Sequence, residues 1–94
     1  MVSKNNSGSL EGNHIVVTGG AQGIGEAIVE DALERGARVS FFDVNEPKAQ
    51  LLLSRLEKRG FGNDKDVAFA LCDVTKFPDI ERAVQHCTSL LGPV

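Results

Sequence analysis

The stretch Val17-Thr18-Gly19-Gly20-Ala21-Gln22-Gly23-Ile24-Gly25 narrows what this chain can fold into more than any other feature. An apolar run from His14 to Val17 leads into it, and a helical pattern from Gly23 leads out. A strand, a glycine-rich turn and a helix start together make a device for holding phosphate. Gly19 allows the sharp turn, Gly23 leaves the backbone bare for a close anion, and Gly25 lets the helix lie near the strand. The helix N-terminus adds free N–H groups and the positive end of its dipole. The spacing is T-G-x-x-x-G-x-G, narrower than the common G-x-G-x-x-G, and it stands in the strand–turn–helix context that such a motif needs.

Ninety-four residues allow one small domain with a modest core. Ten basic residues face 13 acidic ones, a net charge of −3, with no basic cluster interleaved with aromatics. That balance argues against nucleic acid as a partner. No apolar run has membrane-spanning length, and residues 1–9 are polar without a signal-peptide core. They read as a flexible tail on a cytoplasmic chain that makes no membrane contact. Cys72 and Cys87 stand alone, with no C-x-x-C or paired His, so both are expected to pack as small apolar groups and no metal site is expected.

Three strand–helix units follow the tail. The first strand, His14 to Thr18, is a β-branched run suited to burial in a parallel sheet. The first helix is expected from Gly23 to Arg35, with Ile24, Ala27, Ile28 and Ala32 on one face and Glu26, Glu30 and Glu34 on another. Asp31 and Arg35 can pair at i, i+4, and Gly36 follows as a C-terminal stop. The second strand runs from Arg38 to Phe42 and ends at Asp43. The second helix runs from Glu46 or Pro47 to Arg59, capped by Asn45 and stopped by Gly60, with Ala49, Leu52, Leu53 and Leu56 buried. Three adjacent leucines cannot all point inward, so one of Leu51, Leu52 and Leu53 faces elsewhere. The third strand is Val67 to Cys72, ending at Asp73. Thr75 is expected to cap a third helix with Pro78 in its first turn. Ile80, Ala83, Val84, Cys87 and Leu91 recur along that helix at helical spacing, and Gly92-Pro93 ends it.

This alternation predicts an α/β fold with a parallel sheet of order 3-2-1. Two carboxylates end strands within it. Asp43, at the end of the second, is placed to accept hydrogen bonds from an adenosine ribose and to repel a 2′-phosphate. Position 22 is Gln, and no Lys or Arg stands at 44 or 45, so NAD is favoured over NADP. Asp73-Val74, after the third strand, is placed to meet adenine through the carboxylate and the next backbone N–H. His14 starts a strand, far from the carboxyl-end crevice. His86 lies off the apolar stripe and is expected in solvent.

With these residues quoted, the chain resembles the short-chain dehydrogenase/reductase family from about position 10 to 94. The resemblance rests on Thr18 to Gly25, on Asp43, and on Cys72-Asp73-Val74-Thr75. It implies a partial Rossmann fold, the N-terminal half of a dinucleotide-binding domain. It implies that Gly19, Gly23, Ile24 and Gly25 approach the pyrophosphate, with Gln22 in the same turn and Thr18 supporting it. Asp43 would select NAD, and Asp73 and Val74 would hold adenine. The family's Asn-Asn-Ala-Gly stretch, its Ser and its Tyr-x-x-x-Lys pair are not in these 94 residues, which contain no tyrosine. No catalytic residue is therefore assigned. The parent reaction implied is NAD-linked oxidation of a secondary alcohol or reduction of a ketone, in an enzyme that can be a homo-oligomer. Without a fourth strand the crevice would have one wall, and the chain alone is expected to be poorly stable and to bind NAD weakly. Two other readings compete. One is a truncated nucleotide- or partner-binding module. The other is a methyltransferase-type fold, against which the glycine spacing argues.

Overall fold

The structure, a computed structural model, describes residues 9–94; the expected tail lies, except for Ser9, outside the described residues. Six elements alternate: β1 (His14–Thr18), α1 (Gly23–Glu34), β2 (Arg38–Asp43), α2 (Glu46–Lys58), β3 (Val67–Leu71) and α3 (Phe77–Leu91). The strands form one parallel sheet in the order β1-β2-β3, the expected 3-2-1 read from the other edge. His14 pairs with Arg38 and Thr18 with Phe42, while Val39 pairs with Val67 and Asp43 with Leu71. This register brings the carboxyl ends of all three strands to one rim.

The helices divide between the two faces of the sheet. Val29, Ala32 and Leu33 of α1 and Ala49, Leu52, Leu53 and Leu56 of α2 pack on Val17, Val39, Phe41 and Val67. Ala83, Cys87 and Leu91 of α3 pack on Phe42, Ala68 and Ala70, with Ile80 and Val84 at the margin. β2 lies between its neighbours, and every residue from Val39 to Asp43 is buried. Each fully buried Leu or Phe here stabilises the fold by about 1.5–3 kcal/mol relative to exposure.

The α2 face matches the expectation, and Leu51 is the leucine that turns outward, 63% exposed. Asn45 caps α2 by accepting from the Lys48 N–H at 3.1 Å, and Asp31 pairs with Arg35 at 2.9 Å. The α1 face needs correction. Ile24, Ala27 and Ile28 are exposed and only Ala32 of the expected four is buried. Apolar residues cover more than one side of this helix, and the sheet takes the Val29–Leu33 side. On the flank beside that buried side Glu26, Glu30 and Glu34 form an ion-pair ladder with Arg55 of α2 and with Arg59, its C-cap residue.

The cap of α3 also differs. Lys76 is the N-cap residue, without a side-chain cap, and Thr75 turns back to Asp73 instead. β3 ends at Leu71 rather than Cys72, although the Cys72 N–H still donates to the Asp43 carbonyl at 3.1 Å. Both cysteines are buried free thiols, and burial pushes each one up from its ordinary range.

At the opposite rim, His14 ties three elements together. Its Nε2 lies 2.6 Å from Ser40 Oγ and its Nδ1 lies 2.7 Å from the Gly92 carbonyl oxygen. That carbonyl can only accept, so Nδ1 carries the proton and Nε2 accepts from the serine hydroxyl when the ring is neutral. Arg38 Nε donates to the Leu91 carbonyl at 2.6 Å beside it. His14 is thus a buried structural residue, remote from the carboxyl rim. His86 is exposed, as its position on α3 implies.

Candidate functional site

The carboxyl rim is built from the turn after β1, and two of its glycines have left-handed backbones. Gly19 has φ +69° and Gly23 has φ +61°, and a side chain at either would meet nothing but open space. Their requirement is therefore conformational. The other two are required by packing. A Cβ on Gly25 would overlap the Gly19 carbonyl, and one on Gly20 would lie 2.5 Å from Phe41 Cβ. Gly25 thus lets the first turn of α1 sit directly on the glycine turn. Gly20 lets that turn sit on the core.

The turn is tied to the ends of its neighbours. The Gly19 N–H donates to the Phe42 carbonyl at 2.7 Å. The Ala21 N–H donates to Asp43 Oδ2 at 3.1 Å, and the Asn45 N–H donates to Oδ1 at 3.0 Å. One carboxylate therefore holds both the glycine turn and the approach to α2. Asp43 is buried, yet each oxygen keeps a lone pair for a further donor.

α1 begins at Gly23 after an extended Gln22, and no side chain caps it. Its first-turn N–H groups keep their capacity for an anion, and the helix dipole adds to it. Ile24 is 81% exposed there and Thr18 is exposed at the end of β1.

Asp73 is anchored differently. Its Oδ1 accepts from the Thr75 hydroxyl at 2.6 Å and from the Thr75 N–H at 2.9 Å. The Thr75 hydroxyl, then its N–H, hold the Asp73 carboxyl below the usual carboxylate range. The Asp73 N–H in turn donates to Asp79 Oδ2 at 3.3 Å. Arg82, then this N–H, keep Asp79 low as well.

These anchors open two clefts on the rim. Gly19, Asp43, Asp73 and Val74 meet in one of about 220 Å³, which Phe42, Val44 and Cys72 also line. Gln22 and Gly23 line a second, of about 320 Å³, with Lys48, Leu51 and Arg55. Sequence reading did not name Val44 as part of this region, and it gave Gly20, though within the quoted stretch, no role of its own. The repeated pair Asp43-Val44 and Asp73-Val74 after successive strands was the available signal for Val44. For Gly20 there was none, since its neighbour Phe41 comes from another strand.

A turn, two carboxylates and an uncapped helix N-terminus at one rim of a parallel sheet fit a nucleotide diphosphate. The glycines leave room for the anion, and both carboxylates retain acceptor capacity for hydroxyl or amino donors. No helix among the described residues is long and apolar enough to cross a membrane.

Comparison with known proteins agrees with this geometry. The family model for short chain dehydrogenases matches residues 13–94. A tropinone reductase homolog from Arabidopsis thaliana is 43% identical over 81 residues, covering 86% of this chain and 25% of that protein. (+)-Borneol dehydrogenase 2 from Salvia officinalis is 40% identical over 83 residues, covering 88% of this chain and 28% of its own length. Among solved structures, a dehydrogenase/reductase from Sinorhizobium meliloti 1021 superimposes with a TM-score of 0.79 at 33% identity, covering 92% of this chain and 33% of its own. A short chain dehydrogenase/reductase from Burkholderia phymatum in complex with NAD shares the fold, with a TM-score of 0.80 at 23% identity, covering 89% of this chain and 28% of its own. The chain thus spans about a quarter to a third of the relatives it matches. It belongs to the short-chain dehydrogenase family.

Proposed function

We propose that this chain supplies the adenosine-side portion of an NAD site in an oxidoreductase that interconverts a secondary alcohol and a ketone. Asp43 carries the reading. Its carboxylate sits at the end of β2, fixed by the Ala21 and Asn45 N–H groups, with spare acceptor capacity toward the cleft. Two ribose hydroxyls can donate to it, whereas a 2′-phosphate would meet a buried negative charge. Position 22 is Gln and positions 44 and 45 are Val and Asn, so none of these three neighbours offsets a phosphate there.

The other residues take roles consistent with that placement. Thr18, Gly19, Gln22, Gly23, Ile24 and Gly25 form the turn and helix start beside the pyrophosphate. Asp73, through its free Oδ2, and the Val74 N–H meet adenine. NAD bound there supplies the hydride acceptor. The proton-transfer residues of the family's reaction, the Ser and the Tyr-x-x-x-Lys pair, have no counterpart in these 94 residues, so this portion binds and orients the cofactor and does not turn over substrate by itself.

Calorimetric titration of the natural-length protein with ADP-ribose and with 2′-phospho-ADP-ribose tests the assignment. ADP-ribose is expected to bind at least about tenfold more tightly, the effect of an unpaired charge near 1.4 kcal/mol. Equal affinities, or preference for the 2′-phosphate, overturn it.

A further inference from the structure

The outer edge of β3 plays no part in the cofactor reading, and the ladder fixes which of its groups are open. The Val39 N–H donates to the Asp66 carbonyl at 2.9 Å, and the Cys72 N–H donates to the Asp43 carbonyl at 3.1 Å. In a parallel ladder alternate residues face the same neighbour, so Ala68 and Ala70 direct their backbone groups to β2. Val67, Phe69 and Leu71 direct theirs outward. The preceding loop satisfies Val67: its N–H donates to the Gly62 carbonyl at 3.2 Å, and its carbonyl accepts from the Asp64 N–H at 2.7 Å. Among the described residues, Phe69 and Leu71 are left with two N–H and two C=O groups along an uncovered edge.

A groove of about 500 Å³ runs along this edge. Glu46 and Gln50 of α2 form one wall, and Arg82, Ala83 and His86 of α3 form the other. β3 itself reads Val-Ala-Phe-Ala-Leu, with neither Lys nor Pro to discourage pairing, and Leu71 is 58% exposed.

We propose that this edge receives an extended segment of another protein, added antiparallel to β3 and carrying an acidic side chain at its centre. Side-chain alternation sets that chemistry. Phe69 packs on the α1–α2 side of the sheet and Ala70 on the α3 side. Partner residues opposite Phe69 and Leu71 therefore face α2, where apolar side chains lie along exposed Leu71. The residue between them faces α3 above small Ala70, beside Arg82 and His86. Arg82 already bonds Asp79 at 2.5 Å, but its five N–H donors leave room for a second carboxylate. A second copy of this chain fits poorly. Two-fold pairing of β3 with β3 places α3 beside α3 and sets Arg82 and His86 against their own counterparts.

The test uses acetyl-Thr-Val-Glu-Val-Thr-amide, titrated into natural-length protein labelled with ¹⁵N at Phe and Leu. The Phe69 and Leu71 amides are expected to shift. Methylating both valine nitrogens is expected to weaken binding at least about tenfold, since two backbone bonds are lost. Arg82→Glu is expected to weaken it about fivefold, and a peptide with Lys in place of Glu is expected to recover that loss on the variant. Unmoved Phe69 and Leu71 amides, binding indifferent to methylation, or self-association through this edge overturns the proposal.

Discussion

The Asp43 carboxylate and the Ala21 N–H meet at 3.1 Å, joining the end of β2 to the glycine turn that follows β1. The other carboxylate oxygen takes the Asn45 N–H at 3.0 Å. The residue proposed to select the cofactor is thus also the brace of the turn that would hold its phosphates. Asp43→Ala is expected to lower stability by about 1–3 kcal/mol, because two backbone donors lose a charged acceptor. It is also expected to weaken NAD binding about tenfold or more, through the lost ribose hydrogen bonds. Asp43→Asn retains one acceptor oxygen and is expected to recover stability more than NAD preference. Urea denaturation and NAD titration on the same variants separate the two roles. Equal loss of both in Asp43→Asn would mean a brace alone.

The glycines divide by cause, and the division is measurable. Gly23→Ala keeps a left-handed backbone at φ +61° but meets no neighbour, so its cost is conformational, about 1–2 kcal/mol. Gly25→Ala drives a methyl into the Gly19 carbonyl, and the turn or the helix must move. Its cost is expected to exceed that of Gly23→Ala, with overpacking adding about 1–3 kcal/mol. Chemical denaturation midpoints of the two variants decide the order, and a milder Gly25→Ala would contradict the packing account.

The bounds of β1, the cap of α2 and the glycine turn were legible because their constraints are local. A left-handed backbone, a cap at Asn45 and an apolar run each act within a few residues. The buried face of α1 was not legible. Ile24 and Ile28 suggest one stripe and Val29 and Leu33 another, and only contact with the sheet selects between them. Thr75 failed as a cap because Asp73, two residues earlier, competes for both its hydroxyl and its N–H. The bond between His14 and Gly92 spans 78 positions and left no trace in the local sequence.

That long-range bond makes its own prediction. Ser40 is fully buried, and its hydroxyl is the partner 2.6 Å from His14 Nε2. Ser40→Ala leaves a buried ring nitrogen unpaired and is expected to destabilise by about 1–3 kcal/mol. Replacing both partners, as in His14→Val with Ser40→Ala, removes the unpaired ring nitrogen but also the donor to the Gly92 carbonyl, and is expected to cost less than the sum of the two single losses. A double-mutant cycle by denaturation measures the coupling. Strict additivity would show that the pair contributes nothing as a pair.

The Asp73–Thr75 turn should respond to acid with a definite sign. The Thr75 hydroxyl and N–H stabilise ionised Asp73 and lower its folded pKa below the ordinary 3.8. A depressed carboxylate adds stability above its unfolded value, and that contribution is lost as the pH falls through the folded one. The window therefore lies at and below pH 3.8. Thr75→Val removes the hydroxyl bond, the larger of these causes, and leaves the backbone bond. The Asp73 carboxyl midpoint, followed by ¹³C NMR, is expected to rise toward 3.8 in this variant and stay below it. An unchanged midpoint would locate the cause elsewhere, with Lys76 the nearest remaining charge to test. Because Asp73 is only partly buried, added salt is expected to shrink the Lys76 contribution while sparing the short bond to Thr75.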